Sequence, residues 1–469
     1  MEQETVLHIE GTVEQVLYRN EQNGYTVLDL DANGTLITVV GELGDVEEGE
    51  QLSVDGTYVN HVRFGVQFQA QYVERKLPED AINIQRYLSS GVIKGIGSAL
   101  AKKIVTAFGS QTLEIMEKQP TRLMEIRGIS PKKCEAIAQE VQKIFALRSL
   151  MLFLQQYNIR SRYAMRAYQC YGSGAKEMIL ANPYLLCGMG IELPFEKAEL
   201  LADDLKVPKN AEQRILAGTC YILEHNTHNG YTCLPLDRLQ PKVCEYLQVS
   251  ESEFLAAYQA AQKEGNLVSY QKETREFVYL PAYYEAEQYI ADRIGVLRDF
   301  SAPEDQEIYL DLIKREETEQ GIQYAELQRK AILSALSRGL LILTGGPGTG
   351  KTTTLNGMIS LFEKQGYQVM LAAPTGRAAQ RISDLTGYEA KTIHRLLEVE
   401  FDMAGATKFR HNESNPLTCD VMIVDEMSMV DVLLFESLLR ALRFSCKLIM
   451  AGDSDQLPSV GAGDVLKDL

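Results

Sequence analysis

The chain of 469 residues contains no tryptophan, and its eight cysteines (134, 170, 187, 220, 233, 244, 419 and 446) include no CxxC pair. That spacing signals neither a zinc ribbon nor a disulfide framework, so reduced thiols are expected. His225, His228 and Cys233 stand near one another, but two histidines and a cysteine in a polar stretch suit a turn better than a metal cage. No run of eighteen apolar residues occurs, and the start, MEQETVLHIE, lacks both a basic leader and an apolar segment. The reading therefore contains no membrane span and no secretory signal, and it expects a cytoplasmic protein. Positive charge is also scarce: 47 Lys and Arg against 64 Asp and Glu leave a formal charge of −17. Such a balance ordinarily argues against nucleic acid, whose phosphates need local cations.

The distribution of charge reverses that argument. Residues 1–80 carry four basic and sixteen acidic side chains, net −12, whereas residues 81–170 carry fourteen and five, net +9. A basic module sits inside an acidic chain. With 45% apolar residues the chain can bury several cores, and three to five domains are expected, mixing α+β and α/β classes. Residues 1–80 alternate apolar and polar positions in short runs parted by Asn-Gly and Asp-Gly turns, which predicts an OB-like β-barrel. Such barrels often bind single strands. Here Arg19, Arg63, Arg75 and Lys76 stand against many carboxylates, which favours a protein partner.

Residues 81–208 turn helical. SSGVIKGIGSALAKKIVTAFG at 89–109 and LMEIRGISPKKCEAIAQEV at 123–141 share an apolar lead-in, a glycine turn and a lysine pair opening a helix. Both resemble the helix-hairpin-helix module. Gly95, Gly97 and Gly128 permit the tight turn, and helix N-terminal amides with Lys102, Lys103, Lys132 and Lys133 can hold a DNA phosphate whatever the bases. The alternative is that the hairpins merely pack together. A weaker third copy, LCGMGIELPFEKAELLADDL at 186–205, keeps the glycines without the basic balance. Residues 209–285 end in the β pair NLVSYQKETREFVYLP and resemble a winged-helix unit, a fold that serves either DNA or protein. Residues 286–318 read as a helical connector.

The last 151 positions, 319–469, read as a RecA-like nucleotide domain. LLILTG at 340–345 predicts a buried strand, GGPGTGKTTT occupies 345–354, and a helix follows up to Gly366. That order is the setting a phosphate-binding loop needs. Gly346, Pro347, Gly348, Thr349, Gly350, Lys351, Thr352 and Thr353 would line the phosphates of ATP, with Lys351 on the outer ones and the Thr352 hydroxyl on Mg²⁺. A second strand, VMIVDEM at 421–427, delivers Asp425 to Mg²⁺ and Glu426 to the attacking water. Hydrolysis is favoured over transfer to a small acceptor.

QVMLAAPTGRAAQRI at 368–382, TIHRLL at 392–397, KLIMAGDSDQLPSVG at 447–461 and LQRKAI at 327–332 complete the pattern. Together they resemble the superfamily 1 helicases, and specifically the RecD2 branch. The resemblance implies an ATP-driven motor moving 5′ to 3′ on DNA; a monomer acting at single-stranded and duplex junctions in repair or recombination is expected. It places Gln328 at adenine and Gln456 at the γ-phosphate. It also places Pro374, Thr375, Gly376 and Arg377 on single-stranded DNA, with Thr392 and His394 in support; an ion pair is the alternative for Arg377. Residues 399–412 are expected to form a strand-splitting hairpin, or a plain surface hairpin. The second motor lobe that the resemblance implies, with its transition-state arginines, does not follow DVLKDL. The 469 residues are therefore expected to bind nucleotide and DNA, hydrolyse feebly and unwind nothing, the natural protein being longer. A reading of another class is an ATP-gated DNA-binding scaffold.

Overall fold

Period-two alternation in the acidic front of the chain yields five strands that close into a barrel in the computed structural model. The structure describes all residues except 1–6, 21–24, 44–45, 62–63, 189, 301–305, 347, 402–406, 454 and 457. Strands β1 (Leu7–Arg19), β2 (Tyr25–Ala32), β3 (Thr35–Glu42), β4 (Gln51–His61) and β5 (Gly65–Lys76) close in the order β1-β2-β3-β5-β4. Val13, Leu28, Leu30, Val39, Val54 and Phe68 fill the interior. Asn33-Gly34 makes the expected turn, with both residues at positive φ. Asp55-Gly56 does not: it lies within β4, at a register shift against β5. A Cβ at Gly56 would stand 2.1 Å from the Gln69 carbonyl oxygen, so this glycine serves close strand approach rather than a turn.

Helices α1 (Ala81–Ser89), α2 (Ser98–Phe108), α3 (Thr112–Lys118), α4 (Pro131–Gln155), α5 (Ser161–Tyr171), α6 (Ala175–Ala181) and α7 (Phe195–Asp204) follow. Arg148 of α4 lies 3.6 Å from Glu50, a buried barrel carboxylate that Arg75 also pairs at 2.7 Å, so the barrel and α4 share one charge cluster. The series α2, 3-10 turn, α3, 3-10 turn, α4 recurs as α5, 3-10 turn, α6, 3-10 turn, α7. The region thus holds four hairpin turns where the sequence suggested three. The extra one precedes α5, where Asn158 at φ +55 stands in for Gly95 at φ +94, and Ile159 is buried as Ile96 is. Asparagine tolerates the left-handed region, which hid the repeat from a search for glycine.

The chain divides into two compact units after Lys206. The second opens with α8 (Glu212–Thr227), β6 (Cys233–Pro235), α9 (Leu236–Leu247), α10 (Glu251–Lys263), β7 (Val268–Lys272) and β8 (Arg275–Tyr279), the strands ordered β6-β8-β7. Helix, strand, two helices and a β pair is the element order of a winged helix. Next come α11 (Pro281–Asp299) and α12 (Gln306–Gln320), over the expected connector. Neither bridges a gap. Ala286, Ile290 and Leu297 share one face of α11 and enter the core of the lobe that follows, and Tyr309 and Ile313 of α12 pack in a second core with Phe362.

That lobe contains α13 (Glu326–Ser337), β9 (Leu340–Thr344), α14 (Lys351–Lys364), β10 (Val369–Ala373), α15 (Gly376–Thr386), β11 (Ala390–Thr392) and α16 (Ile393–Leu396). It continues with β12 (Val399–Phe401), β13 (Thr407–Phe409), β14 (Val421–Val424), α17 (Val432–Ala441), β15 (Lys447–Gly452) and α18 (Val465–Asp468). Its sheet is parallel, ordered β11-β10-β14-β15-β9. Every residue of β14 and β15 is buried, as expected for strands covered on both faces. β9, expected to be buried, is only half so: it is an edge strand, paired among the described residues with β15 alone. Lys447, at the start of β15, is buried, and its ammonium donates to the Leu336 and Arg338 carbonyls at 2.8 Å each, clasping the end of α13. No described helix is long and apolar enough to cross a membrane.

Candidate functional site

The carboxyl ends of parallel strands are where an open α/β sheet receives ligands. Here β9 ends in the glycine loop. Gly348 and Gly350 take φ of +78 and +84, and Gly350 caps α14. Two of the loop glycines have little room for side chains: a Cβ on Gly350 would lie 2.4 Å from Gln328 Nε2, and one on Gly345 2.8 Å from Thr349 Oγ1, whereas Gly346 and Gly348 face open space. Thr349 and Thr354 donate their hydroxyls to the Gly346 and Gly350 carbonyls, at 2.9 and 3.0 Å. Thr352 is half-buried and Thr353 exposed on the first turn of α14, whose leading amides have no intrahelical acceptor. A shallow cradle of backbone donors, a lysine and a hydroxyl fits a polyphosphate and its cation. Pro347 lies outside the described residues.

Lys351 Nζ donates to the Gly345 carbonyl and, at 3.2 Å, to the Gly452 carbonyl at the end of β15. The lysine thus touches the strand that leads to Gln456. Gln456 is exposed; its amide nitrogen Nε2 is 3.4 Å from Asp453 Oδ2, and Asp453, which is buried, also accepts from Asp455 N at 3.1 Å. Gln328 is held from both sides: its Oε1 accepts from Ala325 N at 3.0 Å, and its Nε2 points at the Gly350 carbonyl at 3.4 Å. This brings Gln328 to the loop, a contact that the sequence did not announce.

Asp425 and Glu426 sit half-buried past the end of β14. Asp425 N donates to Ala372 O at 3.0 Å, fixing the strand end, and Glu426 adopts φ +54, a conformation that costs a non-glycine residue about 1 kcal/mol. Arg381 of α15 approaches Glu426 at 3.6 Å. Sequence reasoning missed Arg381, although RAAQR spaces it four residues from Arg377 and so on the same helix face.

The Gly and Arg loop expected at 374–377 is shorter than the sequence suggested. Thr375 is the N-cap of α15, accepting from Ala378 N at 3.2 Å, so Gly376 and Arg377 already belong to the helix and only Pro374 precedes the cap. Thr392 likewise caps α16, accepting from Arg395 N at 3.1 Å, and the His394 ring lies 6.0 Å from that of Phe409. Thr392 ends β11 and His394 follows it, and β11 is the strand farthest from β9 in the sheet, so neither is part of the glycine-loop cluster. β12 and β13 pair antiparallel, Val399 opposite Phe409, as the arms of the expected hairpin; its Ala404-Gly405-Ala406 tip falls outside the described residues.

In the first unit, Gly95 at φ +94 leads to Gly97, the N-cap of α2, and Lys102 and Lys103 stand exposed on that helix. Gly128 at φ +109 leads to Ser130, which caps α4, with Lys132 exposed and Lys133 half-buried. None of the four lysines has a carboxylate within 4.0 Å among the described residues. The third copy keeps Gly188 and Gly190, the latter at φ +88. The fourth carries Arg160 and Arg162 around the start of α5.

Four family models match in succession. They are the OB-fold domain of the ATP-dependent DNA helicase YrrC at 6–78, a SAM-like helix-hairpin-helix tandem at 86–143, the HHH domain of the ATP-dependent RecD2 DNA helicase at 143–233, and an AAA domain at 328–462. The two helical models meet within α4, where the structural repeat also turns over, and the second runs past the expected limit at 208. The ATP-dependent RecD2 DNA helicase of Deinococcus radiodurans is 29% identical over 476 aligned positions, covering 97% of this chain and 65% of that protein. The RecBCD enzyme subunit RecD of Mycolicibacterium smegmatis is 44% identical over 167 positions, 31% of this chain and 30% of that one. This chain therefore spans less than two thirds of either relative. A solved Pif1 helicase from Candida albicans covers 29% of the chain and 34% of its own at 28% identity, with a TM-score of 0.24, too low to argue from. Barrel, hairpin tandems and nucleotide lobe thus match helicase and nucleotide-domain models in the same order as they fold, and over nearly its whole length the chain is similar to the RecD2-type helicases of superfamily 1.

Proposed function

We propose that the protein is an ATPase motor that moves 5′ to 3′ on DNA and acts at single-stranded and duplex junctions in repair or recombination. The observation that carries this reading is the Lys351 ammonium, held between the glycine loop and the end of β15. A phosphate at the loop competes for that lysine with the Gly452 carbonyl, so occupancy is felt by the strand that leads to Gln456. Gly346 to Thr353 bind the phosphates of ATP, Gln328 sits on the adenine side, and Glu426 accepts the proton of the attacking water. Thr352 and Asp425 would hold Mg²⁺, which supplies positive charge to the phosphate oxygens. Pro374 to Arg377 and the lysines of the first two hairpins contact the DNA backbone without reading sequence. The 399–412 hairpin is the strand splitter, and the acidic barrel meets a protein partner. In this proposal the 469 residues alone bind both ligands, turn ATP over slowly and do not unwind.

ATP hydrolysis measured with and without a single-stranded oligonucleotide, on this chain and on the longest product of the same gene, tests the reading. Stimulation of the longer product supports the motor. DNA binding with no stimulation of either would leave the ATP-gated scaffold, a reading that draws on the exposed Tyr58, Phe64 and Val66 of the barrel.

A further inference from the structure

The chain between Asp453 and Asp464 leaves the sheet at the nucleotide loop and returns to structure against a different part of the fold. Its first end is the Gly452 carbonyl, which accepts from Lys351. Its last turn is pinned: Ser459 Oγ donates to the Gly461 and Gly463 carbonyls at 2.9 and 3.0 Å, and Ala462 O accepts from Val432 N at 3.0 Å. Gly463 N then donates 3.0 Å to the carbonyl of Gly230, in the turn between α8 and β6. The packing there leaves no slack. A Cβ on Gly461 would lie 2.6 Å from Asp431 Oδ2, and one on Gly463, at φ +92, would lie 2.2 Å from Val432 Cγ2 and 3.5 Å from Thr232 Cγ2.

We propose that the Gly230 turn of the winged-helix unit is a positioning element for the loop that carries Gln456, and so sets how strongly the site distinguishes a nucleoside triphosphate from a diphosphate. The inference rests on the nucleotide reading above. The far end of the loop is held by Val432 on one side and by Gly230 on the other, and a loop end held on both sides places its middle more reproducibly than one held on Val432 alone. The winged-helix unit is then a part of nucleotide recognition, and a ligand that moves its α8 to β6 turn alters that recognition, as nucleotide in return alters the turn.

The test compares binding of ADP and of ATPγS to the whole chain and to three variants. Gly230 has φ +86 and open space around its Cβ position, so Gly230→Val acts on the turn's backbone alone. Gly230→Asn tolerates the same φ and serves as the rescue. Gly463→Ala attacks the contact from the other side. The expected result is unchanged ADP affinity in all three, a preference for ATPγS reduced about tenfold in Gly230→Val and Gly463→Ala, and a preference restored in Gly230→Asn. Preferences equal to wild type in Gly230→Val and Gly463→Ala, both melting as wild type does, overturn the inference alone. Should Gly463→Ala fail to fold, Gly230→Val decides. A wild-type chain that binds neither nucleotide overturns the nucleotide reading and this inference with it.

Discussion

The glycine loop before α14 and the glycine turn before α2 have the same local physics and opposite surroundings. Both set positive-φ glycines ahead of a helix N-terminus with lysine close by. At the loop, Gln328 crowds Gly350, Lys351 bridges two carbonyls, and the carboxylates of β14 stand on the same sheet. At the turn, a Cβ on Gly97 would meet nothing within 4 Å, and Lys102 and Lys103 extend into solvent. A cradle whose glycine and lysine have fixed neighbours selects its ligand by shape and hydrogen bonds, while an open one accepts any phosphate that passes. The difference is in the neighbours, and substitutions at matched positions measure it.

The largest effect is expected for Lys351→Ala, which should lower ATP turnover roughly 10²- to 10³-fold, by analogy with loss of one charge-stabilising donor, while DNA affinity measured by anisotropy stays near wild type. Parallel loss of both would break the comparison by tying the two cradles together. Lys102→Glu with Lys103→Glu should weaken DNA binding about tenfold at low salt and flatten its salt dependence, with ADP binding unaffected. The corresponding change in the fourth hairpin, Arg160→Glu with Arg162→Glu, should have a smaller effect on the same titration, because Asn158 and Arg160 fill a turn that Gly95 and Gly97 leave open. Gly350→Ala should lower thermal stability by about 1–2 kcal/mol through its φ and its collision with Gln328. Gly97→Ala, at ordinary φ and in open space, should change stability by less than about 0.5 kcal/mol in the same denaturation assay. If it nevertheless weakens DNA binding, the backbone itself approaches the phosphate there.

Much of the architecture was legible because its signals are local. Alternation marks the barrel strands, and the order of LLILT, glycine loop and helix marks the lobe before any contact is known. What was not legible depends on partners distant in sequence. Gly56 looks like a turn residue until Gln69 is seen beside it. The spacing of Ala286, Ile290 and Leu297 gives a face but not the core that receives it. Thr375 and Thr392 reveal themselves as caps only once the helices have boundaries, which moved Gly376 and Arg377 from a loop into α15. At the nucleotide loop the residue types could be read directly, but the meeting of Gln328 with Gly350, and of Lys351 with Gly452, required the fold.

Lys447 gives the lobe a closed circuit. Its ammonium joins the last turn of α13 to the first residue of β15, while at the other ends α13 brings Gln328 to Gly350 and β15 brings Gly452 to Lys351. The helix and the strand behave as two arms of a truss, braced where they diverge and bearing on one joint where they meet. Neither arm can loosen alone without breaking a buried charge from its carbonyl acceptors. Amide protons along α13 and β15 should therefore exchange with solvent as one cooperative block, at a common opening free energy, rather than fraying from the helix end inward.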